Sequence, residues 1–136
     1  RECLKAEKID VVIHLAALMS DKDYLSRDEF LKVNVLGIKN LMEETAGKIK
    51  QFIYISTVGV YGYTDELGAS ETQPYGDSLS DYEFSKKEAE RAILSFASRN
   101  NFPFTILRLG QLYGPYVYYG WPQVIKRIQK KRMFIV

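Results

Sequence analysis

The chain has 136 residues, of which 46% are hydrophobic and 26% charged, with a formal net charge of +2. This is the balance of a globular domain of the commonest size, and so small a charge does not point to nucleic acid or an anionic membrane surface as partner. Cys3 is the only cysteine and His14 the only histidine, so no internal disulfide or multi-cysteine metal site can form, a serine-histidine triad has little to draw on, and a cytoplasmic setting fits. No apolar run reaches the roughly 18 residues that a bilayer requires, and nothing before the first strand reads as a signal peptide. The ends, Arg1 and Met133-Phe134-Ile135-Val136, read as the cut ends of one continuous piece of a larger domain.

Ile9 through Ala17 is an apolar, β-branched run, as expected of a strand buried on both faces of a parallel sheet. It ends in Ala16 and Ala17, whose small side chains suit either a flat ligand at the carboxyl end of the strand or close packing under a helix. His14 falls on the buried alternation and reads more simply as a core histidine than as a catalytic one. Ser26 and Glu29 form a capping box that opens a helix. Two apolar rows follow at helical spacing, Phe30, Val33, Gly37 and Leu41 in one, Leu31, Val35, Ile38 and Met42 in the other. One row should face the sheet and the other could face a neighbouring subunit. Asn34 lies among them and is expected to bond to nearby backbone, with a structural role no less plausible than a functional one.

Gln51 through Thr57 is a second buried strand ending in two hydroxyls, and Gly59 and Gly62 mark the turn after it. Residues 64 to 80 read as a long surface loop, and Phe104 through Leu109 as a third strand. Strands alternating with helices predict right-handed crossovers and a parallel sheet. Beyond them, Tyr113, Tyr116, Tyr118, Tyr119 and Trp121 suit a loop packed over the domain edge better than a stacking surface for a base or sugar. Lys126, Arg127, Lys130, Lys131 and Arg132 flank Val124, Ile125 and Ile128 on a short amphipathic helix whose basic face reads as solvated.

Between the second and third strands stands Asp81-Tyr82-Glu83-Phe84-Ser85-Lys86. Ser80 with Glu83 reads as a capping box, Asp81 suits the positive end of a helix dipole, and no Gly or Pro interrupts Tyr82 through Asn101. Tyr82 and Lys86, four residues apart, should share a face. A phenol with an ordinary pKa of about 10 becomes a usable acid and base when a cation within roughly 4 to 6 Å lowers it by about 1 to 3 units. Chance alone would give this chain a single Tyr-x-x-x-Lys, so the pair carries weight only in company.

The company consists of His14-Leu15-Ala16-Ala17, Asn34-Val35-Leu36-Gly37-Ile38-Lys39-Asn40, Ser56-Thr57-Val58-Gly59-Val60-Tyr61-Gly62 and Arg108-Leu109-Gly110-Gln111-Leu112-Tyr113-Gly114-Pro115, with Thr57 and Tyr82 twenty-five positions apart. In this order the five motifs resemble the extended short-chain dehydrogenase/reductase family, the NAD-dependent epimerase/dehydratase group. The resemblance implies an α/β fold, an NAD(P)-binding Rossmann-like doubly wound parallel sheet present in part, with its N-terminal strands missing. Residues 1–115 would be the central and C-terminal part of the cofactor-binding domain, and residues 116–136 the start of the substrate-binding region. Tyr82 would be the catalytic acid/base, Lys86 the residue that binds the nicotinamide ribose and lowers the tyrosine pKa, and Thr57 the hydroxyl that orients substrate. Leu15, Ala16, Ala17, Ser56 and Arg108 would join Tyr82 and Lys86 in lining NAD or NADP.

The same resemblance implies a nucleotide-sugar substrate, and a homodimer through the helices near Asn34 and Tyr82. An epimerase acting by transient hydride transfer is the first reading. The alternatives are a one-way hydroxyl/ketone oxidoreductase of the hydroxysteroid or flavonoid-reductase kind and a non-catalytic cofactor sensor. Val58 and Gly59 stand where sugar 4,6-dehydratases of the family carry Asp-Glu, which disfavours elimination, and Gln111 replaces the asparagine usual in sugar-nucleotide members. The family's glycine-rich pyrophosphate turn has no counterpart in these 136 residues. The isolated segment is therefore expected to bind NAD poorly or not at all, and micromolar binding in a calorimetric titration would contradict this.

Overall fold

The computed structural model describes residues 8–19, 25–63, 68–117 and 120–130. Cys3, Tyr118, Tyr119, Lys131 and Arg132 lie outside them. Three parallel strands, β1 (Val11–His14), β2 (Gln51–Thr57) and β3 (Phe104–Leu109), form a sheet in the order β1-β2-β3. Their register pairs Val12 with Phe52 and His14 with Tyr54, then Phe52 with Phe104, Tyr54 with Ile106 and Ser56 with Arg108. β1 is shorter than the apolar run that announced it, because residues 15–17 leave the sheet at its carboxyl end.

The connection from β1 to β2 is a helical rod made of α1 (Arg27–Phe30), a π-helical stretch (Leu31–Leu36) and α2 (Gly37–Thr45). The Ser26–Glu29 capping box forms in both directions: the Ser26 hydroxyl accepts from the Glu29 N–H, and the Glu29 carboxylate accepts from the Ser26 N–H at 2.7 Å. From β2 a 3₁₀ turn (Val58–Tyr61) and a loop lead to α3 (Asp81–Asn100), which Asn101 ends in a left-handed conformation. Only half of the expected Ser80 box is present. Ser80 caps the Glu83 N–H, but Glu83 reaches one residue further back, to the Leu79 N–H at 2.8 Å. A last helix, α4 (Trp121–Gln129), follows β3.

Two right-handed crossovers that advance in the same direction put both helical connections on one face of the sheet. There Ile38, Met42, Phe52, Tyr54, Ala89, Ile93 and Phe102 make the core. Fully burying one such large side chain contributes about 1.5 to 3 kcal/mol. The expectation of strands buried on both faces is corrected for this segment: among the described residues nothing covers the second face, where Ile13 is 57% and Leu107 41% exposed. A doubly wound sheet needs helices from strands wound in the opposite direction for that face, and the described elements supply none.

The helical rows are corrected too. Phe30, Asn34, Ile38, Met42 and Thr45 are the buried residues of the rod, whereas Val33 and Leu36 are each half exposed. A π-helix has more residues per turn than an α-helix, so through Leu31–Leu36 the inward positions recur every four residues. Tyr113 and Tyr116 are almost fully exposed, so the aromatic tail is not packed over the domain edge where it is described.

The loop before α3 docks through backbone contact. The Gly76 N–H donates to the Val60 carbonyl at 3.1 Å, and a Cβ at Gly76 would lie 1.9 Å from the Tyr61 carbonyl oxygen. On the other side of the crossing, Gly62 has φ of +67° and would place a Cβ 2.4 Å from the Asp77 carbonyl oxygen. Neither chain can move aside cheaply, because the obstacle is backbone. Gly76→Ala should therefore lower the unfolding free energy of the full-length protein by about 1 to 3 kcal/mol, measured by urea denaturation, and an unchanged midpoint would show that the crossing yields.

Candidate active site

At the carboxyl end of β2, three consecutive residues are held by three different partners. The Ile55 carbonyl accepts from Lys86 Nζ at 2.6 Å, the Ser56 hydroxyl donates to Glu90 Oε1, and Thr57 Oγ1 accepts from the Gly59 N–H at 3.1 Å. Lys86 and Glu90 lie one turn and two turns after Tyr82 on the same face of α3. The face that carries Tyr82 therefore runs directly against the strand tip.

The Lys86 ammonium is buried, with its Nζ 4.1 Å from the centre of the Tyr54 ring. Burial pulls its pKa down to about 8, against the opposing pull of the Glu90 carboxylate. That still lies above neutral pH, so the protonated form predominates there and Lys86 acts as a cation. Tyr54 is buried, and among the described residues its hydroxyl has no hydrogen-bond partner. Its ionisation is pushed upward by burial first, then by Glu90 and by Tyr82. His14 stacks on the Tyr54 ring at 5.9 Å, and burial together with Lys86 lowers its pKa, so His14 packs as a neutral, half-buried ring beside the core.

Asn34 explains why the helical rod widens. Its amide accepts from the Leu18 N–H at 2.7 Å and donates to the Leu18 carbonyl at 3.1 Å and to Ser85 Oγ at 2.8 Å. Ser85 in turn donates to the Tyr82 carbonyl at 2.7 Å. One buried side chain thus ties the segment after β1 to the first turn of α3, and a π-helical turn at such a point is a common feature of functional sites.

Of the other positions singled out from the sequence, Leu15 and Ala16 are exposed at the end of β1 and Ala17 is half-buried. Tyr82 is half-buried. Arg108 is committed within the protein: it pairs with Glu90 at 2.8 Å and donates to the Tyr61 hydroxyl at 2.8 Å and the Glu71 carbonyl at 3.1 Å. Hydrogen bonds and charge from these partners raise its pKa. Glu90 escaped the sequence reading, although a glutamate among Ala89 and Ile93, four residues after Lys86, was a visible sign that a cation would have to meet it. A cavity of about 700 Å³ bordered by Tyr61, Leu94, Arg108 and Leu109 opens beside β3 and includes neither Tyr82 nor Lys86.

Comparison with known proteins bears on this arrangement. Residues 1–136 match the model of the NAD dependent epimerase/dehydratase family. The chain is 34% identical over 116 residues to human dTDP-D-glucose 4,6-dehydratase, covering 84% of this chain and 33% of that protein. It is 29% identical over 132 residues to UDP-glucose 4-epimerase from Vibrio cholerae, covering 93% and 40%. The solved structure of UDP-glucuronic acid 4-epimerase from Bacillus cereus in complex with NAD is similar with a TM-score of 0.77 and 28% identity, over 96% of this chain and 42% of that one. The chain spans about a third of the length of the first curated relatives it matches. With a family match along its whole length and the parallel Rossmann-type sheet in place, this chain belongs to the NAD dependent epimerase/dehydratase family.

Proposed function

We propose that the full-length protein is an NAD(P)-dependent nucleotide-sugar epimerase, with Thr57, Tyr82 and Lys86 as its catalytic residues. The observation that carries the reading is the buried Lys86 cation, held against the tip of β2 one helical turn from Tyr82. The described residues fit the nicotinamide-ribose half of a dinucleotide: small residues follow β1, Ala16 exposed and Ala17 half-buried, and the desolvated Lys86 ammonium is held at the tip of the neighbouring strand β2. A bound nicotinamide supplies hydride acceptance and return at a secondary alcohol carbon. Tyr82 takes the proton of the substrate hydroxyl and later gives it back, Lys86 favours the phenolate by its charge, and Thr57 hydrogen-bonds the same hydroxyl to orient it. Leu15, Ala16, Ala17, Ser56 and Arg108 are assigned to the cofactor side, with Ser56 and Arg108 shaping it from within. Residues 1–115 are read as cofactor-binding domain and 116–136 as the start of the substrate region. The low cysteine content supports a cytoplasmic setting.

A specific observation keeps dehydration as the second reading. Gly59 has no room for a side chain, because the Glu83 carboxylate occupies the space, 2.7 Å from where a Cβ would begin. A carboxylate from α3 therefore lies at the strand tip that itself carries Val58 and Gly59. Incubation of the full-length protein with UDP-glucose and dTDP-glucose separates the readings. A C4 epimer without net NADH supports the first, a 4-keto-6-deoxy sugar the second, and stoichiometric NADH a one-way oxidoreductase.

We also infer a homodimer. Val33 and Leu36 are half exposed, and a groove of about 380 Å³ between the π-helical rod and α3 is lined by Leu31, Val35, Leu36 and Phe84. Burying such apolar surface against a second copy is favourable. In sedimentation, the full-length protein should run as a dimer and Leu36→Glu as a monomer; a monomeric parent protein at high concentration would refute the interface. Tyr82→Phe should lower kcat by about 10² to 10⁴-fold while leaving cofactor affinity nearly unchanged, measured by steady-state kinetics and fluorescence titration, and full activity would end the assignment.

A further inference from the structure

Glu90 is 0% exposed, yet it is surrounded by polar partners from every neighbouring segment. On β2, Ser56 donates to its Oε1. On β3, Arg108 reaches both oxygens, with Nε at 3.3 and 3.1 Å and Nη2 at 2.8 Å. From the loop before α3, the Tyr75 hydroxyl donates to Oε2 at 3.0 Å. The guanidinium then extends the connection to the Tyr61 hydroxyl and the Glu71 carbonyl, with the Tyr61 and Tyr75 rings 4.8 and 5.3 Å from its centre. On its own helix the Lys86 ammonium is within electrostatic reach of Glu90, and so is the Tyr54 phenol on β2.

A buried ion pair is weak support for stability, since apolar residues of the same volume often serve as well or better. What this pair does that apolar residues could not is fix direction. Ser56 lies between Ile55, whose carbonyl holds Lys86, and Thr57. Glu90 lies four residues beyond Lys86 and eight beyond Tyr82, on one helical face. Pulling Ser56 onto Glu90 therefore sets where Thr57 stands relative to Tyr82. Holding Tyr75 and Arg108 on the same carboxylate sets how the loop that leads into Tyr82 lies on the sheet.

We propose that Glu90 is a positioning residue for the reaction: its carboxylate locks the strand tip bearing Thr57, the arginine of β3 and the loop before α3 onto the helix face bearing Tyr82 and Lys86, and supplies the counter-charge within that face. The inference rests on the catalytic reading given above. Its electrostatic part has a sign that packing alone would not produce. Removing a negative charge beside Lys86 leaves Arg108 unopposed and makes the Lys86 ammonium less favourable, so Lys86 loses its proton at lower pH. A phenolate at Tyr82 becomes more favourable, so its proton also leaves at lower pH. Tyr75, whose pKa burial and then Glu90 push up to about 12, moves the same way.

The experiment compares full-length wild type, Glu90→Gln, Glu90→Asp, Ser56→Ala and Tyr82→Phe. Two readouts are taken: the Lys86 titration followed by NMR with ¹³C-labelled lysine and assigned through Lys86→Arg, and the pH dependence of turnover with UDP-glucose and dTDP-glucose. Glu90→Gln should move the Lys86 midpoint and both limbs of the kcat profile down by about half a unit to one unit and lower kcat about tenfold or more, with KM within about threefold. Glu90→Asp should restore the Lys86 midpoint because it keeps the charge. Ser56→Ala should lower kcat less and leave the midpoint in place. A Glu90→Gln protein with wild-type midpoint and limbs overturns the proposal, whether its kcat is normal or falls only with its melting temperature. Turnover unaffected by Tyr82→Phe, or absent in wild type with both sugars, refutes the catalytic reading instead, and the Lys86 midpoint then decides the electrostatic part alone.

Discussion

The two-residue period of β2 is the constraint on which the rest of the structure depends. In a strand, successive side chains point to opposite faces, so Phe52, Tyr54 and Ser56 face the helices while Ile53, Ile55 and Thr57 face away. Phe52 and Tyr54 make the core, and Ser56, the last inward residue, meets the one buried carboxylate of α3. The alternation leaves a hydroxyl on each side of the strand tip, one bound inward to Glu90 and one turned to the 3₁₀ turn. A slip of one residue would exchange these roles and put Ile53 and Ile55 in the core.

Polar groups inside this fold are concentrated along one helix. Ser85, Lys86, Lys87 and Glu90 are buried on α3, each with a partner: Asn34, the Ile55 carbonyl, the Gly76 carbonyl and the Ser56–Arg108–Tyr75 group. A buried polar group without a partner costs about 1 to 3 kcal/mol, so each of these bonds also reports where a neighbouring segment must lie. Through them α3 fixes the end of β1, the tip of β2 and the loop that leads into it. The Tyr54 hydroxyl, without a partner among the described residues, belongs to the same region, its ring beside Lys86 and its phenol within electrostatic reach of Tyr82.

Much of this was legible in the sequence, and the failures have physical causes. The bounds of β2 and β3, the capping box at Ser26 and Glu29, and the long helix from Asp81 follow from short-range rules that the side chains obey locally. Asn34 was expected to bond backbone and does so at Leu18. The buried row Phe30–Asn34–Ile38–Met42 was missed because a helical wheel assumes 3.6 residues per turn, and the π-helical stretch breaks that assumption where Asn34 must turn inward. Burial of both sheet faces could not be read from β-branched runs, which record what a strand can tolerate and not which elements cover it. The setting of Glu90 among Ala89 and Ile93 announces a buried charge, but which groups meet it, 18 and 34 residues away in sequence, no local pattern reports. How Thr57 stands toward Tyr82 is a matter of that same long-range packing.

The uncovered side of the sheet has a consequence for how this segment behaves in isolation. Val11, Ile13 and Leu107 present an apolar surface to water, and among the described residues β1 and β3 offer their outer edges unpaired. Unpaired edges beside an apolar plane are templates for strand addition between molecules. Left open to water, such edges favour pairing between molecules, so the solubility of these strands depends on the edges and the apolar plane being covered.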